Sequence, residues 1–319
     1  MPEDRVDSLL SIREDVAAAF ASGNAVVALE STVIAHGLPQ PHNLETARSM
    51  EAAVRKAGAI PATIGVLGGK LIVGLSDEQL VFFAESRDVA KVSPGDLSAV
   101  LASGRPGATT VAGTMFVAAR SGICILATGG IGGVHRGGER SLDISADLTE
   151  LARTQVAVVC AGAKAILDLP RTLEVLETLE VPVVGFGTDE FPAFYSRESG
   201  LPLLHRVEAP EEAARLMRIQ WELGQLGRGA NAGIVIAHPP PAESALSRAD
   251  AESLVAGALE AAKAADIRGK RVTPFLLQEM ARRSGGRTLQ ANIALLVANA
   301  QLAARIAVAY AAARDIAPR

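Results

Sequence analysis

Short unbroken apolar runs recur along this chain and alternate with segments whose apolar positions repeat every three or four residues. Residues 25–29 (AVVAL), 123–127 (ICILA), 156–162 (VAVVCAG), 181–187 (VPVVGFG) and 232–241 (AGIVIAHPPP) read as buried strands. Residues 62–75 (ATIGVLGGKLIVGL) read as strand, turn, strand about Gly68 and Gly69, and residues 89–93 (VAKVS) as a short strand. Between them the helical period predicts helices over 5–22, from a cap at Asn43 to Lys56, and after a cap at Ser76. Further helices are predicted from the segment 107–114 to Arg120, from Leu148, and over 171–179, 211–226, 243–265 and 274–283. An Ala-rich last helix runs to about residue 313. Strands buried on both faces and alternating with helices predict an α/β fold: a three-layer α/β/α single domain with a largely parallel or mixed central sheet. Residues 1–11 read as an N-terminal extension and 12–319 as the domain, with no Pro/Ser-rich linker and no internal repeat.

The stretch 123–147, ICILATGGIGGVHRGGERSLDISAD, organises the rest. A buried strand opens into a loop with Gly129, Gly130, Gly132, Gly133, Gly137 and Gly138, holds His135 and Arg136, and closes on Asp143, Ser145 and Asp147. Open α/β sheets place ligands at such strand ends, and glycine permits close backbone approach and positive φ. His135 stands where GxGxxG needs its third glycine, and no GxxxxGK[ST] is present, so nicotinamide and P-loop nucleotide readings lack their key residues.

Composition narrows the partners. Apolar residues make up 49% and aromatics 3%, so the core rests on aliphatic side chains and base-stacking platforms are disfavoured. A net charge of −4 leaves no footprint for nucleic acid. Cys124 and Cys160 lie in apolar runs and support neither a disulfide framework nor a zinc site. The polar, acidic N-terminus is unlike a signal peptide, and no run reaches the roughly 20 apolar residues that span a bilayer. The expectation is a cytoplasmic protein with no membrane partner.

Four places carry candidate chemistry. Glu30 directly follows a buried strand, a position that suits catalysis and equally a cap or ion pair. Lys91 is an edge charge or a ligand group. Residues 107–114, with Thr109, Thr110 and Val111 opening a helix, can cradle an anion or simply cap the helix. Lys164 ends a buried strand in otherwise apolar company. Burial favours the neutral amine, a nucleophile able to form a Schiff base; the structural alternative is a pair with Asp168. Asn292, near the start of the last helix, reads as a surface amide.

Six blocks in order, ALESTVIAHGLP, TTVAGTM, ATGGIGGVHRG, LDISADL, AGAKAILD and TDEFPAFY, resemble the pseudouridine-5′-phosphate glycosidase family, which includes indigoidine-synthase-A-like proteins. The resemblance spans about residues 12 to 310. It implies reversible cleavage of pseudouridine 5′-phosphate to uracil and ribose 5-phosphate in pseudouridine catabolism, a divalent metal, usually Mn²⁺ with Mg²⁺ as another candidate, and a homotrimer. By that resemblance Lys164 matches the Schiff-base lysine, Glu30 the proton donor and Asp143 the metal carboxylate. Lys91, Val111, Ser145, Ala146 and Asp147 match substrate contacts; Thr110 joins them as a phosphate cradle, and His135 and Asn292 fall at active-site positions. Two small departures, Ala165 and Thr288 where the family pattern leads one to expect serine, remove no proposed catalytic group.

The residue types suit the chemistry. A carbon leaving group is hard to eject through the two-carboxylate route of ordinary glycosidases, whereas an amine can form an iminium that accepts the bond's electrons. The alternatives are a C-nucleotide-forming enzyme of secondary metabolism and a non-catalytic sugar-phosphate-binding protein. A class I aldolase also needs one buried lysine, but does not share the ordered blocks.

Overall fold

A computed structural model describes the protein over residues 9–226, 231–267 and 272–313. Its centre is one mixed sheet of β1 (Leu10–Ile12), β2 (Val26–Glu30), β3 (Ile60–Leu67), β4 (Lys70–Val73), β5 (Ala90–Val92), β6 (Gly107–Thr109), β7 (Ile125–Ala127), β8 (Ala157–Cys160), β9 (Val183–Phe186), β10 (His205–Val207) and β11 (Ile234–Ala237). The order is β1-β4-β3-β2-β7-β8-β11-β9-β10, with β6 on β3 and β5 on β6. Pairing is parallel except where β3 meets β4 and β6. β2, β7, β8 and β11 are buried along their whole length, as strands without alternation require.

The chain builds β3 to β6 on one side of β2, then crosses to β7 and lays β8, β9 and β10 on the other, with β11 returning between β8 and β9. The sheet therefore reverses direction of growth between β2 and β7, the place where open α/β sheets leave a crevice beyond their C-terminal strand ends. The helix Arg287–Ala312 packs on β2, β7 and β8 beside the helices His42–Lys56 and Pro210–Gln225. The helix Val111–Arg120 packs on β2, β3 and β7 together with Ala146–Leu151.

Several sequence expectations need correction. The predicted helix over 5–22 is the edge strand β1, in register with β4 from Leu10↔Leu71, followed by a helix Glu14–Ala21. Residues 5–8 of it lie outside the described residues. β1 thus starts inside the stretch expected to be an extension, because its backbone completes the open edge of β4. Asn43 is not a cap: it sits in the first turn and its amide donates to the carbonyls of Ile34 and Ala84. The helix expected over 243–265 runs Arg248–Ala264, started by Ser247, whose Oγ accepts the Asp250 N–H. β6 and β10 were not foreseen, being too short for a periodic signal. The loop after β9 is polar in sequence, yet its Phe191, Phe194 and Tyr195 are buried. Finally, the helix Arg287–Ala312 is long and apolar enough to cross a membrane by length and composition. Its scattered Arg, Asn and Gln hid that run, and half of its apolar stretch is buried against the sheet and neighbouring helices, as a core helix requires.

Candidate active site

The C-terminal ends of β2, β7 and β8 stand side by side, and each delivers one part of a cavity. Glu30, Lys91, Lys164 and Asn292 line it together with Thr32, His36, Thr128, Gly129, Gly130 and Phe194. These four candidates, spread over most of the sequence, are thus brought to one place.

Lys164 is held by backbone pairing. The segment after β8 continues the β7–β8 ladder beyond both strands: Ala161 N–H donates to the Gly129 carbonyl at 2.8 Å, Ile131 N–H to Gly162 at 3.0 Å and Lys164 N–H to Ile131 at 3.1 Å. The Phe194 N–H donates to Ala161 from the other side at 3.0 Å. The amine is half-buried, and among the described residues no carboxylate lies within ion-pair distance of it. Asp168, the partner that a structural reading needs, instead accepts the Arg171 N–H at its helix start and pairs with the Arg171 guanidinium at 2.7 Å.

Glu30 ends β2 and is buried, at 4% exposure. One carboxylate oxygen accepts the Thr32 hydroxyl and the other the Thr128 hydroxyl. Thr128 is itself fixed: its carbonyl accepts from Asn299 Nδ2 at 2.8 Å, and Asn299 Oδ1 in turn lies 2.9 Å from His238 Nδ1. Sequence reasoning missed Thr32, Thr128 and Asn299. A hydroxyl at the end of each of two neighbouring strands, in EST and LATGG, was the available signal.

A second cluster adjoins the cavity without lining it. Thr110 starts the helix Val111–Arg120, its Oγ1 accepting the Gly113 N–H at 3.2 Å and meeting Ser93 Oγ at 3.1 Å. Ser145 starts the helix Ala146–Leu151. The buried Asp147 joins the two: one oxygen accepts the Ala112 N–H at 2.9 Å, the other the Gly132 N–H at 2.7 Å. Thr110, Val111, Ser145, Ala146 and Asp147 therefore surround one patch of backbone.

The glycine loop is built for packing more than for positive φ. Of its six glycines only Gly137 has positive φ. A Cβ on Gly132 would lie 2.2 Å from Ser145 Oγ, and one on Gly130 would lie 2.6 Å from the Phe194 ring.

His135 lies between the two groups. Its ring is half-buried, and burial lowers its pKa; Asp143 pulls the other way, while Lys164 and Lys91 add to the lowering. Asp143 lies at the surface, one carboxylate oxygen 4.0 Å from His135 Nδ1. Among the described residues no three His, Cys, Asp or Glu side chains converge. Asp143 thus suits a hard, largely hydrated cation held by one carboxylate, as Mg²⁺-type ions accept, and not a closed protein cage. Cys160, beneath the lysine loop, has its thiol pushed up to about 12 by burial and is inert.

The family model described as indigoidine synthase A like protein matches residues 15–309. A pseudouridine-5′-phosphate glycosidase of Caldanaerobacter subterraneus subsp. tengcongensis is 53% identical over 303 residues, 95% of this chain and 97% of its own. One from Herpetosiphon aurantiacus is 55% identical over 300 residues, 94% of this chain and 97% of its own. Among solved structures, the prealnumycin C-glycosynthase AlnA in complex with ribulose 5-phosphate superposes with a TM-score of 0.88 at 40% identity, covering 97% of this chain and 99% of that one. An indigoidine synthase A-like protein of Thermotoga maritima gives 0.83 at 38% identity, covering 94% and 96%.

Proposed function

The chain belongs to the indigoidine synthase A-like protein family, and from that premise we propose that it is a pseudouridine-5′-phosphate glycosidase. It splits the bond between uracil C5 and ribose C1′ reversibly, giving uracil and ribose 5-phosphate and consuming one water. The observation that carries the chemistry is Lys164: an amine that, among the described residues, has no carboxylate within ion-pair distance, in the same cavity as the strand-end carboxylate Glu30.

The roles follow from position. The Lys164 amine attacks C1′ as the ribose ring opens and O4′ takes a proton. Uracil C5 then receives a proton, for which Glu30, oriented by Thr32 and Thr128, is the group at hand. The lysine nitrogen lone pair forms the C=N bond, the C1′–C5 pair returns to the ring, and uracil leaves. Water adds to the iminium and frees ribose 5-phosphate and the lysine. Lys91 supplies positive charge and Thr110, at the start of the helix Val111–Arg120, a hydroxyl for the phosphate, with Ser145, Ala146 and Asp147 shaping that end. His135 and Asn292 flank the sugar and the base. Asp143 would hold Mn²⁺ or Mg²⁺, which supplies charge neutralisation beside the phosphate end. A homotrimer belongs to the same reading; light scattering that finds one copy removes it. So does a cytoplasmic location, supported by two free cysteines.

The test is ultraviolet-monitored uracil release from pseudouridine 5′-phosphate, with and without Mn²⁺, for wild type and Lys164→Ala. Wild type should turn over, faster with metal, and Lys164→Ala should not. Borohydride with ribose 5-phosphate should leave a mass adduct on Lys164; turnover with that lysine unmodified would reject the mechanism. A C-nucleotide-forming role is the second reading, favoured by the likeness to a C-glycosynthase. It requires that another ring outcompete uracil in the reverse direction.

A further inference from the structure

The last helix carries a polar residue where its packing calls for an apolar one. Asn299 sits midway along Arg287–Ala312, a helix packed on β7 and β8, among the buried Leu295, Leu296, Leu302 and Ala303. It is 1% exposed. An amide buried there loses its water and needs a partner at each end. Its Nδ2 donates to the Thr128 carbonyl at 2.8 Å, and its Oδ1 lies 2.9 Å from His238 Nδ1.

The Thr128 carbonyl is available because the sheet changes phase at that point. Ala127 pairs with Val159, and the Thr128 N–H donates to the Val159 carbonyl at 3.1 Å. A regular parallel ladder would next bring the Ala161 N–H to the Thr128 carbonyl. Instead Ala161 donates to Gly129, one residue further on, at 2.8 Å. The register survives, since Ile131 still bridges Ala163, but the Thr128 carbonyl has lost its ladder donor. Asn299 supplies the missing donor. It thereby fixes the peptide unit from which the Thr128 hydroxyl reaches Glu30.

The amide is oriented from its other side. A carbonyl only accepts, so the Asn299 nitrogen faces Thr128, its oxygen faces His238, and His238 Nδ1 is the donor. Turned over, the amide would set oxygen against the Thr128 carbonyl and NH₂ against the His238 N–H. His238 directly follows β11, its backbone N–H donating to Cys160 at 2.8 Å and its ring edge-on to Phe186. Contacts thus run from the end of β11, through the helix, to the ends of β7 and β2. Resting on the glycosidase reading above, we propose that Asn299, held by His238, is a positioning residue for proton transfer to uracil C5: it sets Thr128, and through Thr128 the Glu30 carboxyl.

The experiment is a double-mutant cycle on kcat for uracil release, with Asn299→Leu, Thr128→Val and the two combined. Asn299→Leu should lower kcat by about tenfold and leave KM within about twofold. Once the Thr128 hydroxyl is gone, Asn299 has nothing left to position. In the Thr128→Val background the same substitution should therefore change kcat by less than about twofold. An equal loss in both backgrounds overturns the proposal. Borohydride trapping of ribose 5-phosphate on Lys164 needs no proton at uracil C5, so its rate should stay near wild type in Asn299→Leu. A fall matching that in kcat means general damage to the site and also overturns the proposal. His238 decides the matter should Asn299→Leu not fold. Phenylalanine keeps a ring against Phe186 and deletes the donor, whereas asparagine puts an NH₂ close to the Nδ1 position. His238→Phe should lower kcat by about fivefold, and His238→Asn should recover most of it. Equal turnover in wild type and both variants contradicts the role. A wild type that neither releases uracil nor is trapped refutes the glycosidase reading and this proposal with it. An active, trappable wild type with additive losses leaves that reading standing and removes Asn299 alone.

Discussion

At the scale of single residues, the site depends on groups that hold other groups. Glu30 reaches the cavity as a buried carboxylate whose two oxygens are each fixed by a hydroxyl. Thr128 contributes one hydroxyl and is anchored through its carbonyl to Asn299. Thr128→Val keeps the shape and deletes the hydroxyl, so Glu30 loses half of its orientation. The expected outcome is a fall in kcat of about 10- to 100-fold, as losing a hydrogen bond to a charged group implies, with KM little changed. Steady-state uracil release checks it, and an unaltered kcat would show that Glu30 works without this hydroxyl. Lys164 makes the complementary case. Its backbone is fastened to Ile131 while Asp168, the acid a structural lysine would need, is paired with Arg171 instead.

At the scale of elements, the glycine loop and the helix starts form one unit clamped by Asp147. The carboxylate ties the helix Val111–Arg120 to the loop through the Ala112 and Gly132 amides, and Ser145 fills the space that a side chain at Gly132 would need. Asp147→Ala leaves two buried N–H groups unpaired and should destabilise the fold by about 2–5 kcal/mol. Gly132→Ala must push the loop off Ser145, so it should lower the melting temperature and weaken ribose 5-phosphate binding together. Thermal unfolding and calorimetric titration measure both; a Gly132→Ala protein with wild-type melting and binding would show that the loop yields freely. The extension of the β7–β8 ladder explains why the loop matters to the lysine. Ile131 belongs to the glycine loop and hydrogen-bonds the Lys164 backbone, so moving one moves the other.

At the scale of the whole molecule, three histidines are packed as neutral rings. Burial is the first cause for each: His36 with Lys91 nearby, His135 with Lys164 and Lys91 opposed by Asp143, and His238 with Arg197 and Arg305 opposed by Asn299. Their folded pKa values lie below the ordinary 6.5, so as pH falls through 6.5 the unfolded chain takes up protons that the folded chain refuses. Stability should be level above about pH 7 and fall on acidification. Glu51, whose carboxyl burial raises, works in the opposite sense and softens the fall. Scanning calorimetry from pH 8 to 5 checks this: His238→Asn should flatten the decline, and a wild type that gains stability toward pH 5 would contradict it. Much of this molecule was legible in its sequence. Unbroken apolar runs announce strands covered on both faces, because a half-exposed strand must alternate. The order of motif blocks marks the family, and an amine or carboxylate placed at the end of such a run marks the edge where ligands bind. Which of those groups meet was decided only by the tertiary fold. Strand order brings residues 30, 128 and 164 together, although sequence distance says nothing of adjacency. It also converts Asn292 from an expected surface amide into a buried wall of the cleft, and takes Asp168 away from Lys164. The physical reason is that periodicity records only whether a side chain is buried, whereas its partner depends on long-range packing that no local pattern encodes.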